Sequence, residues 1–439
     1  MRTPTSARLI RSMSCSAAIL AALLGASGCA TLRATLGAYE TGPHGIARPQ
    51  QQLRDALARA DFPVALGWHE DDDLLRELGV GVSSYYAAQF ARSAAVLDSA
   101  ALLADDRITN SVSGNALSLI TNDLARPYQP RRTERLFIPY YGMLAYARLE
   151  QWEDAAVEAR RLSALLAQYA ADRTDAERAT HATLHYLAGA VFERAGERGE
   201  AQIAYRLART LLPQQVDSAR GNGAKGEGDV LVVVERGFVA HRATASINVF
   251  LGDSDRDSLM SEGVPRHPHR GHDRDGDDDD DSGYWLSVAF PSVRRAERAA
   301  GEPMLLVDGV NVVNARVASL LDDATVADAG RERTALLARA VARAAAKYVV
   351  TKAVKDKKGE VAGSIANIGA SLLERADIRS WHLLPQEITL LRAHAPAGQR
   401  QLQLAIGSEA SRIEIGPVNV RAGMVTIAAV RLWRDPATR

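Results

Sequence analysis

The side chains best suited to chemistry lie together in one stretch of the sequence, residues 265–283, where histidines precede a run of aspartates. The candidate metal ligands are His267, His269, His272, Asp273 and Asp275. Imidazole nitrogens suit zinc, nickel or copper, whereas clustered carboxylates suit calcium. The stretch lacks the glycine at position six and the glutamate at position twelve of a calcium-binding loop. A like-charged segment of this kind is usually a solvated, disordered insertion, and we expect that here.

Two further histidines, His181 and His185, are four residues apart and would share one face of a helix. No glutamate follows His181, so the pair does not form the HExxH arrangement of zinc proteases. Two ligands leave zinc short of the three or four that it takes from proteins. We therefore expect both histidines to be surface or packing residues.

No other motif in the sequence indicates catalysis or a cofactor. The segment GSEAS at residues 407–411 lacks the GxSxG setting of a hydrolase nucleophile. The segment AGSIANIG at 362–369 lacks the Lys-Ser/Thr pair of a phosphate-binding loop. We therefore expect no catalytic residues, no cofactor and no enzymatic activity. The alternative is an envelope enzyme or a metal-binding protein that uses the histidine and aspartate stretch.

The length of the chain, 439 residues, fits two or three domains. The chain has 53 basic and 53 acidic side chains and a formal net charge of +0, so no overall field draws it to nucleic acid. Apolar residues make up 47% of the chain, which is enough for packed cores. Both cysteines, Cys15 and Cys29, lie near the N-terminus, so we expect neither a disulfide nor thiol chemistry in the folded body.

The N-terminus has the successive parts of a signal peptide. Arginines come first, the short apolar run Ala17 to Leu24 follows, and small residues in GASGC precede Cys29. This resembles a bacterial lipoprotein signal, in which a peptidase cuts before the cysteine and its sulfur carries a diacylglycerol. Ala26 stands where such signals usually have leucine, and a plain secretory signal is the alternative. The resemblance implies a signal peptide at 1–28, lipidation of Cys29 and a tether over 29–49.

Residues 181–213 carry the pattern of a helix–turn–helix unit. Small and aromatic residues recur with helical spacing, glycines mark the turn, and Pro213 ends the second helix. The residues expected to pack this unit or to bind a partner are Gly189, Phe192, Ala201, Tyr205 and Ala208. The spacing resembles the tetratricopeptide repeat of roughly 34 residues, with Ala201 facing Gly189 where the helices cross. The alternative is an ordinary pair of antiparallel helices.

Similar helical patterns predict a tetratricopeptide-like domain over residues 50–213. Ala155 and Ala201 occupy equivalent places but lie further apart than one repeat, so the array is expected to be interrupted. The composition then becomes polar and glycine-rich, which predicts a linker over 214–228.

From residue 229 the sequence changes to short β-branched runs separated by glycine and proline, which predicts strands. The expected fold class is therefore an α+β multidomain protein, in which the helical repeat domain precedes an antiparallel β-sheet or sandwich domain over 229–434. Two insertions are expected in that second domain. They are the disordered acidic loop at 265–283 and a helical hairpin at 331–375.

An ordered set of segments extends the resemblance beyond a single repeat. The segments are TNDLARPYQPRRTER (121–135), QWEDAAVEARR (151–161), GDVLVVVERGFVA (228–240), ARAAAKYVVTKAVK (342–355) and ERADIRSWHLLPQEITLLRAHAPAG (374–398). Together they are similar to a family of uncharacterised proteobacterial outer-membrane lipoproteins with tetratricopeptide-like repeats. The most specific part is Ala376 to Pro385. The resemblance covers most of residues 110–405 and implies no catalytic residues.

The sequence thus predicts a lipid-anchored scaffold on the periplasmic face of the outer membrane, because Ala30 replaces the aspartate of an inner-membrane retention signal. The expected partner is a cell-envelope protein bound by the helical repeats, and nucleic acid is not expected. A glycan-binding structural lipoprotein that uses its β domain is a further alternative. An open helical face would favour the scaffold, whereas a polar pocket with perturbed carboxylates would favour an enzyme.

Overall fold

The computed structural model describes residues 46–111, 126–216, 226–251, 284–312, 315–358 and 376–433. Within these ranges the chain is α+β, as the sequence predicts. Several predictions fall outside the described residues. These are the signal peptide at 1–28, the lipidation site Cys29, most of the tether at 29–49, residues 217–225 of the linker predicted at 214–228, the acidic loop at 265–283 and the end of the helical insert at 359–375.

Helices fill the first half of the described chain. They are α1 (Arg48–Ala58), α2 (Phe62–Leu66), α3 (Asp73–Tyr86), α4 (Phe90–Ser111), α5 (Arg132–Arg148), α6 (Trp152–Gln168), α7 (Asp175–Arg194), α8 (Arg198–Leu211) and α9 (Pro213–Val216). Carboxylates explain where several of them begin. Asp72 accepts hydrogen bonds from the backbone N–H groups of Leu74 and Leu75 and begins α3. Glu134 and Glu177 each accept the backbone N–H three residues earlier and begin α5 and α7.

The helices pair as hairpins that share one turn geometry. The pairs are α1/α2, α3/α4, α5/α6 and α7/α8, and three residues join the helices of each pair. The middle residue of every turn has a left-handed backbone: Ala60 (φ 56°), Ala88 (φ 58°), Glu150 (φ 57°) and Gly196 (φ 86°). The N–H after it bonds to the carbonyl five residues earlier, as from Gln151 to Tyr146 at 3.0 Å. The four hairpins are therefore alike at their tips.

In three hairpins a glycine of the first helix touches a side chain of the second, sixteen positions later. The pairs are Gly81 with Leu97, Gly142 with Glu158, and Gly189 with Tyr205. A Cβ atom on Gly189 would lie 2.9 Å from the Tyr205 ring, so the helices approach this closely because glycine lacks that atom. The sequence predicted Ala201 opposite Gly189. That detail is wrong, since the ring of Tyr205, one turn further along α8, is the group nearest to Gly189.

Strands dominate the second half of the described chain. They are β1 (Glu227–Arg236), β2 (His241–Leu251), β3 (Tyr284–Arg294), β4 (Pro303–Val307), β5 (Val310–Asn311), β6 (Ala315–Leu320), β7 (Glu387–Pro396), β8 (Gly398–Ile406), β9 (Ser408–Val420) and β10 (Val425–Leu432). A mixed sheet has the order β10-β1-β7-β6, and a second sheet has the order β5-β4-β8-β9. The strands β2 and β3 form a separate hairpin.

One strand pair departs from the predicted antiparallel sheet. In the mixed sheet, β1 runs antiparallel to β7 but parallel to β10, with Asp229 opposite Val425 and Arg236 opposite Leu432. The apolar run VLVVV in β1 is buried on both faces, as a strand between two covered layers must be. The continuous apolar run, rather than an alternating one, was the sequence signal for this central position.

The molecule has three layers: the helices, the mixed sheet and the second sheet. Leu231 and Val233 of β1 belong to the core that the helices form. Val230 and Val232 point to the other side and pack with residues of the second sheet, such as Leu404. The regions 50–213 and 229–434, predicted as successive domains, therefore bury part of their apolar surface against each other.

The helical insert begins earlier than predicted. The helix α10 (Leu321–Lys358) follows β6 directly, whereas the sequence predicted helix from residue 331. Asp322 and Asp323 lie in its first turn, where carboxylates favour a helix start, and Gly330 lies inside it. Helix α10 packs against β3, α5 and α7. Among the described helices, none combines the length and the apolar character needed to span a membrane.

Candidate functional site

The helices α3, α5 and α7 turn one side toward the mixed sheet, and we call this side the inner face. Residues 376–386 cross the inner face before the chain enters β7. The buried apolar side chains of this segment are Ala376, Ile378, Trp381, Leu383 and Leu384. The ring of Trp381 lies 6.0 Å from that of Tyr141 in α5, between ring centroids. The face that a repeat protein commonly offers to a partner is thus occupied by the chain's own segment.

Hydrogen bonds fix this segment on the helices. The backbone N–H of Trp381 donates to Glu134 Oε1 at 2.8 Å, and the other oxygen of Glu134 accepts the N–H that begins α5. Arg379 donates from Nη2 to the carbonyl oxygen of Arg126 at 2.8 Å and also pairs with Asp377. A buried backbone N–H that lost its acceptor would cost about 1–3 kcal/mol, so these bonds hold the segment in one position.

A buried carboxylate joins the inner face to the mixed sheet. Glu235 in β1 is 0% exposed and accepts hydrogen bonds from the hydroxyls of Tyr86 at 2.5 Å, Tyr140 at 3.1 Å and Tyr141 at 3.0 Å. The guanidinium of Arg431 lies 3.8 Å away. Burial, reinforced by the Glu235 charge, raises the pKa of all three tyrosines well above the usual phenol value, so the hydroxyls stay protonated and donate. This arrangement serves structure, because both oxygens of the Glu235 carboxylate already accept hydrogen bonds within the protein.

A second polar cluster ties the last hairpin to the sheet. Arg392 in β7 donates to the Tyr205 hydroxyl at 2.8 Å and, from Nε, to Asp229 at 2.9 Å. The Tyr205 hydroxyl donates in turn to Glu193 at 2.6 Å. His394 also contacts Asp229. Tyr205, which the sequence singled out for repeat packing, therefore also connects the helices to the sheet.

The other residues that the sequence singled out on this hairpin are equally enclosed. Gly189, Phe192, Ala201, Tyr205 and Ala208 are all buried. Their side chains are therefore in contact within the protein and cannot touch a partner directly. Any partner surface on the helices must be formed by residues that the sequence did not select.

His181 and His185 are buried in α7, so the packing alternative holds for both. Burial lowers the pKa of each to about 4, and positive neighbours add to the effect. Within the described ranges, no group of three or more His, Cys, Asp or Glu side chains is arranged to hold a metal ion. The five metal candidates at 267–275 lie outside those ranges.

An open cleft lies between α4 and α6, with α5 at its floor. Its volume is about 460 Å³, and we call it the outer cleft. Its lining residues are Ala101, Leu102, Ala104, Asp105, Arg135, Ile138, Pro139, Glu158, Arg161, Ala164, Leu165 and Gln168. Arg135 and Pro139 lie one turn apart on α5, on a different side from Tyr140 and Tyr141 of the inner face. The same helix thus contacts the sheet with one side and lines a cleft with the other.

The outer cleft combines apolar walls with charged side chains. Leu102, one of the lining residues, is 71% exposed. Arg135 donates to Asp105 at 2.9 Å, and Arg161 donates to Glu158 at 2.6 Å. Burial raises the pKa of Glu158 to about 7, although Arg161 acts in the opposite direction. A carboxyl with a raised pKa in a cleft is a feature of functional sites, both binding and catalytic.

Two sequence signals could have pointed to this cleft. Pro139 interrupts the apolar run of α5 and removes the N–H that would bond to the carbonyl of Arg135. Glu158 stands among alanines at a position where a small or apolar residue would pack, against Gly142. The helical pattern alone, however, assigns both residues to ordinary packing positions.

Comparisons with known proteins identify no relative. No protein-family model matches the chain, no curated protein matches it, and no solved structure matches its fold.

Proposed function

We propose that the protein is a lipid-anchored scaffold of the cell envelope that binds a protein partner at its outer cleft. The observation that carries this proposal is the cleft itself, about 460 Å³ in volume, open to solvent and floored by apolar side chains. The cleft also has charged groups of both signs, including Asp105 and Arg161. They suit a partner whose contact surface has an apolar centre and charged residues of both signs around it. The exposed Leu102 is the residue that a partner would bury first.

The repeated hairpin supports assigning this role to the helices. Four hairpins with the same left-handed turn resemble the tetratricopeptide arrangement, in which stacked helix pairs form a surface for another protein. The open helical face that the sequence predicts is not the inner face, however. Since residues 376–386 fill the inner face, we assign the partner to the opposite side of α5.

The anchor in this proposal is the lipid on Cys29, which lies outside the described residues. The test is intact-mass analysis of the protein from the membrane fraction, which should show a chain that begins at Cys29 and carries acyl groups. A Cys29→Ser variant should leave the outer membrane or stay unprocessed. A wild-type product that keeps its first residues, or one cut elsewhere without lipid, would contradict the anchor but not the cleft.

Site-specific photo-cross-linking tests the cleft. A photoreactive amino acid at Leu102 is compared with the same amino acid at Leu207, which is also exposed but lies on α8 outside the cleft. In cells that make the protein, we expect a discrete adduct of one partner at residue 102 and none at 207. A second change in the cleft, Ala164→Glu, should abolish the adduct. Equal adducts at both positions, or an adduct that survives Ala164→Glu, would overturn the assignment.

A further inference from the structure

A second opening, distinct from the outer cleft, lies where the α3–α4 turn meets the end of α5 and strand β10. Its volume is about 170 Å³, and we call it the aromatic pocket. Its walls include the rings of Tyr85, Tyr86 and Phe90, and Ala429 of β10 lies at its side. At roughly 30 Å³ for each water molecule, the space suits a group of the size of one amino-acid side chain.

Aromatic walls beside a carboxylate often bind a cation, but here guanidinium groups of the protein already lie over two of the rings that line the pocket. The guanidinium of Arg148 lies 4.9 Å from the centre of the Phe90 ring. That of Arg431 lies 5.9 Å from the Tyr86 ring centre and 4.5 Å from the Trp433 ring centre. The carboxylate that lines the pocket, Glu235, is fully engaged by three tyrosine hydroxyls. A cationic ligand would therefore meet two guanidinium groups and find no free acceptor on Glu235.

The uncommitted charge in the aromatic pocket is positive. Arg148 is exposed at the end of α5 and forms no ion pair or side-chain hydrogen bond within the part of the chain that the structure describes. Arg431 donates from Nη2 to the carbonyl oxygens of Gly237 and Leu383, yet its Nε is buried without a hydrogen-bond partner there. Both features favour an anionic ligand, since guanidinium groups match carboxylates well.

We propose that the aromatic pocket binds a carboxylate attached to an apolar group. The carboxylate pairs with Arg148, and the apolar group lies against Phe90 and Tyr85. The C-terminal residue of a peptide and a small free acid both have this chemistry. The site is separate from the outer cleft, so it does not depend on the scaffold proposal.

Titration calorimetry of the purified full-length protein in detergent tests this site. The probes are phenylacetate and an acetylated tripeptide that ends in a free phenylalanine carboxylate, each compared with its amide. We expect the acids to bind at least about tenfold more tightly than the amides, because a charge-assisted hydrogen bond is lost in the amide. Binding of the peptide alone would identify a peptide C-terminus as the ligand, and comparable binding of phenylacetate would identify a small acid.

Two variants assign the binding to the pocket. Arg148→Gln should weaken acid binding about tenfold or more, whereas Arg206→Gln, an exposed arginine on α8, should leave it unchanged. Ala429→Leu should fill the pocket and abolish binding, and thermal melting checks that this variant still folds. Absence of binding by both acids, equal binding of acids and amides, or unchanged acid binding in Arg148→Gln would overturn the proposal.

Discussion

The inner face and the outer cleft are two sides of the same helices, yet they are built differently. On the inner face, side chains such as Glu235 and Trp381 are almost fully enclosed, and the Glu235 carboxylate and the Trp381 backbone N–H are both paired within the chain. At the outer cleft, Leu102 is 71% exposed, and each of the two ion pairs has one solvent-exposed side chain, Asp105 in one and Arg161 in the other. One side is therefore closed by contacts within the chain, and the other is accessible.

In the proposed scaffold, this difference would allow the helices to be rigid and still bind a partner. Arrays of this kind depend on neighbouring repeats for their stability, and a short array has few neighbours. Here α5 gains its missing contacts from Glu235 and from the segment around Trp381. A partner at the outer cleft then meets a preorganised surface and does not have to displace the segment on the inner face. Changes on the two sides should accordingly have different consequences.

The largest effect on stability is expected on the inner face, from Glu235→Leu. The change leaves three buried tyrosine hydroxyls without their shared acceptor and Arg431 without its counter-charge, which should cost about 3–5 kcal/mol of unfolding free energy. Urea unfolding followed by circular dichroism measures this. Glu302→Gln is the matched control, since Glu302 is 75% exposed and its loss should cost under about 0.5 kcal/mol. Equal losses for both variants would refute the structural role of Glu235.

The pH dependence of stability should separate the two sides next. The pKa of His181 and of His185 is lowered to about 4 in the folded protein. Their contribution to the unfolding free energy is therefore complete above about pH 6.5 and is lost as the pH falls toward 4. Each should account for on the order of 1–2 kcal/mol between pH 7 and 5. The double variant His181→Gln, His185→Gln should therefore show a flatter decline in unfolding free energy over this range.

Glu158 in the outer cleft should act in the opposite direction. Its pKa is raised to about 7. Its contribution to the unfolding free energy is therefore complete below about pH 4.5 and is lost as the pH rises through 7. Glu158→Gln should consequently make the decline on acidification steeper than in the wild type. If neither variant changes the slope of unfolding free energy against pH, the burial of these groups is not as described.

The sequence predicted the elements far better than the contacts between them. Small-residue spacing identified the hairpin around Gly189, and the β-branched run from 229 identified β1. The sequence did not predict the cluster of tyrosines around Glu235, because Tyr86 and Tyr140 lie on helices far from β1 along the chain. A local pattern carries no information on such long-range pairs, and the same holds for the parallel pairing of β1 with β10.

A smaller effect is expected where two helices cross. Gly189→Ala places a Cβ atom 2.9 Å from the Tyr205 ring, which should cost about 1–3 kcal/mol. Gly199→Ala on α8 is the matched control, since its new Cβ meets nothing within 4 Å. That variant should be neutral or more stable by up to about 1 kcal/mol, because alanine favours a helix over glycine. A stable Gly189→Ala protein would mean that the helices are further apart than described.

The smallest effect on stability should come from the outer cleft. Leu102→Asp changes an exposed side chain and should alter the unfolding free energy by less than about 0.5 kcal/mol. Partner capture from detergent-solubilised envelopes should nevertheless fail, because a carboxylate replaces the apolar anchor. Glu235→Leu should show the opposite pattern, with a large loss of unfolding free energy and no direct change to the outer cleft. Capture that is unaffected by Leu102→Asp would remove the outer cleft from the account.

Hydrogen–deuterium exchange of the full-length protein, read by mass spectrometry, tests the closed inner face most directly. The buried backbone N–H of Trp381, bonded to Glu134 at 2.8 Å, should exchange only when the whole protein unfolds. The free energy of its exchange should therefore equal the unfolding free energy measured with urea. In Glu235→Leu, both free energies should fall by the same amount. Rapid exchange across residues 378–384 while α5 and α7 stay protected would show that the segment leaves the inner face, and would contradict the account.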